Sequence, residues 1–315
     1  MLKFVVRRFV LGLVTLWAAS VLIFACTEIL PGDVATAILG QSRTPERVAA
    51  LRASLGLDRP APLRYADWLI HFAQGEIGKS LANDRDVGPM IRERLANTMF
   101  LAGVAACIAV PLSVFLGLMA AMRQDSIFDR MVSAATLASI SVPEFFIGYL
   151  LIIFFSITFE WFPSLSTVSD DMNIWDRLHS VVLPATTLVL VVLAHMMRQT
   201  RAALISVLSS PFIEMAVLKG IPNWRIVLQH ALPNALAPVI NIVALNLAYL
   251  IVGVVVVEVV FVYPGMGQLM VDSVAKRDVP VVQTCGLIFA GAYVVLNMLA
   301  DLLSILSNPR LRYPQ

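Results

Sequence analysis

The chain has 315 residues, 59% of them hydrophobic and 14% charged, with a formal net charge of +2 and a mean hydropathy of +0.82. A soluble domain carries about 25% charged residues, so this is the composition of a membrane protein. The basic residues are scattered without a patch, so the net charge gives no indication of a nucleic-acid partner, and none is expected. Cys26, Cys107 and Cys285 lie in apolar runs without metal-ligand spacing, which excludes a disulfide framework and predicts small buried hydrophobes.

In chain order, the first element is the apolar run from Phe9 to Ile29. A bilayer needs about 20 apolar residues and a cleavable signal core only about 7–15. Phe24 also suits poorly the position two places before a lipidated cysteine. The run therefore predicts a retained transmembrane helix, within residues 1–30.

Residues 31–96 are too polar for a membrane and have their own helix grammar. In TPERVAALRASLG, Thr44 can cap, Pro45 suits the first helical position and Gly56 the exit, leaving Val48, Leu51 and Leu55 on one face. In LRYADWLIHF, Tyr65, Trp68, Leu69 and Phe72 form an amphipathic stripe. These short helices are expected to pack on each other and on the membrane surface. Asp67 and His71 read as a polar face rather than a catalytic pair.

Five more apolar runs follow, at Thr98–Met122, Met131–Phe159, Val181–Leu204, Ala235–Val262 and Val281–Leu306. Backbone polar groups in lipid must be satisfied internally, so these are helices. The fold class is all-α, with six spans and both termini on one side. Lys3, Arg7, Arg8, Arg123, Arg130, Arg198, Arg201, Arg310 and Arg312 mark that side as cytoplasmic. The loop from Glu160 to Ser180 sets Glu160, Asp170, Asp171 and Asp176 against Arg177 alone. Lys276 and Arg277 oppose the trend, but Asp272 and Asp278 neighbour them.

Glu144, Glu258 and Asp301 interrupt the apolar runs, and such groups are costly in a membrane. Glu258 and Asp301 lie near span ends, where structural hydrogen bonds are expected. Glu144 follows Pro143 in mid-span, where pore lining and a structural role are equally open.

Between the fourth and fifth spans lies IEMAVLKGIPNWRIVLQHALPNALAPV, from Ile213 to Val239. Ser210 can cap a helix that begins at Pro211, with Glu214 in the first turn, where negative charge suits the helix dipole. Gly220 predicts a left-handed stop. Pro222 opens a second helix with Trp224, Val227, Leu228, Ala231 and Leu232 on one face and Arg225, Gln229 and His230 on the other. Pro233 ends or kinks it. On this grammar alone, a lever for a soluble partner and a plain connecting loop fit equally well.

These residues resemble the membrane subunits of binding-protein-dependent ABC importers. That family carries a cytoplasmic motif of EAA, three residues, a glycine, nine residues, a variable pair and LP. Glu214, Met215 and Ala216, then Gly220, then Leu232 and Pro233, fall at that spacing, with Met215 in place of the usual alanine. His230 is similar to the peptide-type branch. LPGD at 30–33, LGLDRP at 55–60, Arg64 to Trp68, GEIGKS at 75–80, SIFDR at 126–130 and SVPEFFIG at 141–148 resemble the dipeptide/oligopeptide/nickel-type permeases. So do EVVFVYPGMGQL at 258–269, KRDVPVVQ at 276–283 and the NPR ending at 308–310.

The resemblance implies a type I importer permease fold, the first permease of a heterodimeric pair, in a bacterial inner membrane. It divides the chain into 1–30, an extracytoplasmic segment 31–96, and a core 97–315 that holds a coupling segment at 205–235. It implies docking on a cytoplasmic ATPase through Glu214, Met215, Ala216, Gly220, Pro222 and Arg225, and a translocation path to which Glu144 is the candidate contributor. The implied partners are a second permease, two ATP-binding subunits and a solute-binding protein. ATP and magnesium would be used by the partners, because this chain has no GxxxxGKS loop. No cofactor, metal or catalytic residue is expected here. Short peptides are the default cargo, with nickel chelates, glutathione, opines and oligosaccharides carried by relatives.

Two rival classes are a secondary transporter, for which six spans are few and inverted repeats not evident, and an intramembrane enzyme. The latter finds no HExxH or GxSxG, and His71, His179, His195 and His230 lie far apart.

Overall fold

A computed structural model describes residues 2–29, 34–39, 44–169 and 171–307. The LPGD stretch, Asp170, the NPR ending and Arg312 lie outside the described residues. Those residues are helical apart from turns and one isolated antiparallel bridge between Lys79 and Asp86.

Helix α1 (Leu2–Ile29) is followed by α2 (Val34–Leu39), α3 (Pro45–Ser54) and α4 (Ala61–Gln74). Thr44 caps α3, its hydroxyl accepting from the Arg47 N–H at 3.3 Å. Gly56 and Gly75, at φ +65° and +83°, end α3 and α4 in the left-handed region that glycine adopts without strain. The stripe on α4 lies against α1. The Phe24 ring meets Tyr65 and Trp68 at centroid distances of 5.4 and 6.2 Å, the Ser20 and Tyr65 hydroxyls are 2.8 Å apart, and Arg64 pairs with Glu28.

The long helices are α5 (Val87–Met122), α9 (Val182–Leu208), α12 (Leu232–Val260) and α14 (Val279–Ser307), with α6 (Ile127–Ser141), α7 (Glu144–Leu151) and α8 (Ile174–Ser180) between the first two of these. Short helices α10 (Pro211–Leu218) and α11 (Asn223–Arg225) precede α12, and α13 (Met266–Lys276) follows it. Among the described residues, five helices are long and apolar enough to cross a membrane.

The run Met131–Phe159 is not one straight span. It divides into α6 and a second arm, Glu144–Thr158, bent from α6 by 101°. Proline disfavours helical backbone in the residue before it, and Val142 is extended at φ −98°, ψ 129°. Beyond α7 the second arm widens into a π-helical stretch at Ile152–Thr158.

Helix α9 is the axis of the core. Leu188, Val192 and Met196 pack with Leu101, Ala105 and Ala109 of α5 and with Leu250, Val254 and Val257 of α12. A Cβ on Gly117 would come within 2.9 Å of Thr200 Cβ, so the α5–α9 crossing depends on that glycine. Helix α1 is peripheral, with Phe9, Trp17 and Leu22 exposed. Cys285 is buried as expected, but Cys26 and Cys107 are exposed. Apolarity in a membrane helix does not distinguish a core face from a lipid-facing one, because lipid is as apolar as leucine.

The bundle has two unlike ends. The far end gathers α3, α4, α8, α13 and the starts of α5, α9 and α14. The elbow end gathers the turn between α5 and α6, the end of α9, α10, α11 and the start of α12. An ion pair of 3.0 Å between Arg8 and Asp301 joins α1 to α14.

Candidate functional site

The elbow is built from its stop signal. The α10 helix closes in a Schellman arrangement in which the Gly220 N–H donates to Val217 O at 2.9 Å and the Ile221 N–H to Ala216 O at 3.2 Å. Gly220 has φ +73°, and a Cβ there would meet nothing within 4 Å, so backbone conformation rather than space selects glycine. Pro222 then turns the chain, its carbonyl accepting from the Arg225 N–H at 2.9 Å.

The second half differs from the expected amphipathic helix. After α11, residues Ile226–Ala231 form a π-helical turn that runs without a break into α12. Pro233 lies within this continuous helical run and does not end it; the π-helical turn before it accommodates the missing N–H. The widened register turns Ile226, Val227 and Ala231 inward and leaves Trp224 and Leu228 exposed, whereas all but Ile226 were expected on one face. Ser210 also departs from expectation. It holds the N-cap position, but its hydroxyl donates back to Val207 O and caps nothing.

Ile213, Ala216, Ile226 and Ala231 form a small buried cluster, with Ile221 packed beside them. This gives the elbow its own core. Its other face is exposed and apolar, with Met215 at 55%, Leu218 at 75% and Trp224 at 57% exposure. Glu214, Lys219 and Arg225 stand around that face, the Arg225 guanidinium 5.7 Å from the Trp224 ring centre. Among the described residues, Glu214 has no ion-pair or hydrogen-bond partner for its carboxylate. Of the six motif positions, Glu214, Met215, Gly220, Pro222 and Arg225 are exposed, and Ala216 faces inward.

A second cluster lies at the break in the bent span. The Glu144 carboxylate leans on α12, where a Cβ added to Gly253 would lie 3.6 Å from Oε1 and 3.8 Å from the Tyr249 ring. Tyr249 and His195 of α9 have ring centres 6.3 Å apart, and Asn246 donates to Gln199 at 3.2 Å. Glu144, His195, Gln199, Asn246, Tyr249 and Gly253 thus form a polar strip between α7, α9 and α12. Among the described residues, the Glu144 carboxylate has no hydrogen-bond or ion-pair partner.

The far end is the opposite case. Glu258 is fully buried and accepts from Thr98 Oγ1 at 2.6 Å, the Gly267 N–H at 2.7 Å and the Gln268 N–H at 3.1 Å. Thr98 in turn accepts from the Met266 N–H at 2.8 Å. A Cβ on Gly265 would fall 2.0 Å from Glu258 Oε1, so glycine is required there. Asn97 donates to Pro264 O at 2.9 Å and accepts from Arg177 at 2.7 Å. The Tyr263 hydroxyl donates to Asn97 O at 2.8 Å, and burial pushes its pKa up to about 12. Asp278 accepts from the Ser80 hydroxyl and from the Leu81 N–H at 3.0 Å, tying the segment before α5 to the start of α14.

Sequence reading missed one further group. Asp129, 3% exposed, receives Arg201 Nε and Nη2 at 2.6 and 2.7 Å and the Asp125 N–H at 3.0 Å, pinning α6 to α9 beside the elbow. Its signal was an acid and a base on neighbouring spans at the same end. Among the described residues, no three His, Cys, Asp or Glu side chains cluster as metal ligands.

Comparison with known proteins gives this geometry a lineage. Residues 113–313 match the model of the binding-protein-dependent transport system inner membrane component, and residues 1–102 match that of its N-terminal part. A probable peptide ABC transporter permease of Sinorhizobium fredii is 34% identical over 310 residues, covering 98% of this chain and 99% of that one. The glutathione transport system permease GsiC of Salmonella typhimurium is 35% identical over 314 residues, covering 99% and 100%. A solved structure of the MetNI methionine ABC transporter, inward facing, is 18% identical with a TM-score of 0.50, over 69% of this chain and 94% of that one, and shares the fold. With nearly the whole sequence accounted for, this chain belongs to the binding-protein-dependent ABC importer permeases, as a multi-pass inner-membrane component.

Proposed function

We propose that this chain is one half of a heterodimeric translocation path for short peptides or related small solutes. Two cytoplasmic ATPase subunits drive it through the elbow, and a solute-binding protein supplies it at the far end. The observation that carries the reading is the elbow: a self-packed helix–stop–helix unit with an exposed apolar face between two spans. A connecting loop has no need of its own core or of exposed Met215, Leu218 and Trp224. Such a face, ringed by Glu214, Lys219 and Arg225, suits a groove on a soluble partner.

Glu214, Met215, Pro222 and Arg225 are then contact residues, Gly220 fixes the angle of the elbow, and Ala216 lets α10 close on Ile226. The termini and the elbow lie on the cytoplasmic side, in keeping with Arg7, Arg8, Arg123, Arg130, Arg198 and Arg201. ATP and magnesium are bound by the partners. Glu144 and its polar strip line the path. Peptide cargo is favoured by the named transport roles of the full-length relatives.

The test uses the reconstituted complex. Gly220→Val and Glu214→Lys are expected to abolish uptake and the stimulation of ATP hydrolysis by loaded binding protein, while the chain still inserts and assembles. Wild-type uptake and stimulation in both variants would overturn the coupling role.

A further inference from the structure

We infer that Glu144 forms a cation site inside the membrane, which receives the ammonium group of a solute as it passes between α7, α9 and α12. This rests on the reading of the polar strip as part of the translocation path.

Four acidic side chains sit within the apolar runs and a fifth, Asp129, just before one; all but Glu144 are matched inside the chain, Glu28 by Arg64. Asp129 has Arg201, Asp301 has Arg8, and Glu258 has Thr98 and two backbone N–H groups. Glu144 alone has no such match among the described residues. An unpaired carboxylate at membrane depth is costly, and such groups face cavities or pathways where a partner comes and goes. The break at Val142–Pro143 starts α7 at Glu144 and directs its carboxylate to α12. Gly253 lies opposite and supplies no side chain, leaving space at the carboxylate oxygens.

The neighbouring groups suit a cation. Tyr249 presents a half-exposed ring beside Gly253, and a ring face attracts ammonium groups. His195 lies behind that ring at 6.3 Å. The nearby amides, Asn246 and Gln199, are bonded to each other at 3.2 Å. A bound metal fits poorly, since no trio of ligating side chains forms among the described residues. A primary ammonium, such as the free amino terminus of a peptide, carries the single positive charge and the three donors that one carboxylate and one ring can accept.

The experiment places a reporter beside the carboxylate in the assembled importer. Gly253→Cys is introduced with Cys26→Ser, Cys107→Ser and Cys285→Ala. The new Cβ sits at ordinary contact distance from Glu144, so the variant should fold. Its modification is timed with a cationic trimethylammonium-ethyl and an anionic sulfonatoethyl methanethiosulfonate. The cation-to-anion rate ratio should fall by about tenfold when Glu144→Gln is added, as expected for one charge at a few ångströms in a partly aqueous site. Tri-alanine at millimolar concentration should slow the modification, and N-acetyl-tri-alanine should not. A reactive cysteine with an unchanged ratio, or without selective protection by tri-alanine, overturns the cation site and leaves the path standing. A cysteine that neither reagent reaches in any nucleotide state overturns the path itself, and the inference with it.

Discussion

The far end and the elbow end of this bundle manage their polar groups in opposite ways. At the far end Glu258, Thr98, Asn97 and Asp278 have their partners within the chain, and glycines at 265 and 267 make room for the Glu258 carboxylate; of the Arg177 guanidinium, Nη2 bonds Asn97 and the buried Nε has no hydrogen-bond partner among the described residues. At the elbow, and at the break that carries Glu144, the carboxylates of Glu214 and Glu144 stand without such partners among the described residues. Saturation marks a region whose work is to hold shape. Its absence is what the proposed partners would make good at the elbow and the break. Damage at the far end, or at the Asp129–Arg201 pair that pins α6 to α9, should therefore appear as lost stability, and damage at the exposed elbow face or the break as lost transport by a chain that still folds.

The largest expected effect is at the far end. Gly265→Val would drive a side chain into the Glu258 carboxylate and break its cage, at a cost of about 3–5 kcal/mol, the range for unpairing a buried charge. The measure is the melting temperature of the purified chain, or its recovery in folded form. Next is Arg201→Leu, which leaves Asp129 buried without its partner and should cost about 3 kcal/mol in the same assay. Thr98→Val removes one donor to Glu258 and the acceptor for Met266, costing about 1–3 kcal/mol. Gly220→Val forces a β-branched residue to φ +73°, at about 1–2 kcal/mol held within the elbow, so melting should shift little while uptake is lost. The smallest effect on stability is that of Glu144→Gln. Removing an unpaired charge should leave melting unchanged or raise it slightly, and change only what is carried. A Glu144→Gln chain as unstable as Gly265→Val would erase the contrast between the regions.

How much of this was legible in the sequence follows the same division. The elbow was readable because its signals are local: Pro211, the left-handed Gly220 and Pro222 act on backbone within a few residues. Its second half was misread because Pro233 reads as a breaker, whereas the π-helical turn before it absorbs the missing donor. The stripe on α4 was readable from its period, although the partner it found, Phe24 on α1, was not. The bend at Pro143 had a local sign, but uniform apolarity over Met131–Phe159 masked it. The Glu258 cage and the Asp129–Arg201 pair join residues 160 and 72 positions apart, and no local pattern encodes such matches. Nor could apolarity tell buried Cys285 from exposed Cys26 and Cys107.

The central claim is that the exposed face of the elbow is where the ATPase engages. Met215 lies on that face at 55% exposure and takes no part in the elbow's own core. A photo-cross-linking amino acid at position 215 of the assembled importer, irradiated with and without ATP, tests the claim directly. The account predicts an adduct with the ATP-binding subunit, lost when Gly220→Val changes the angle of the elbow. Cross-linking to the solute-binding protein, or to lipid alone in a complex that still transports, would contradict it.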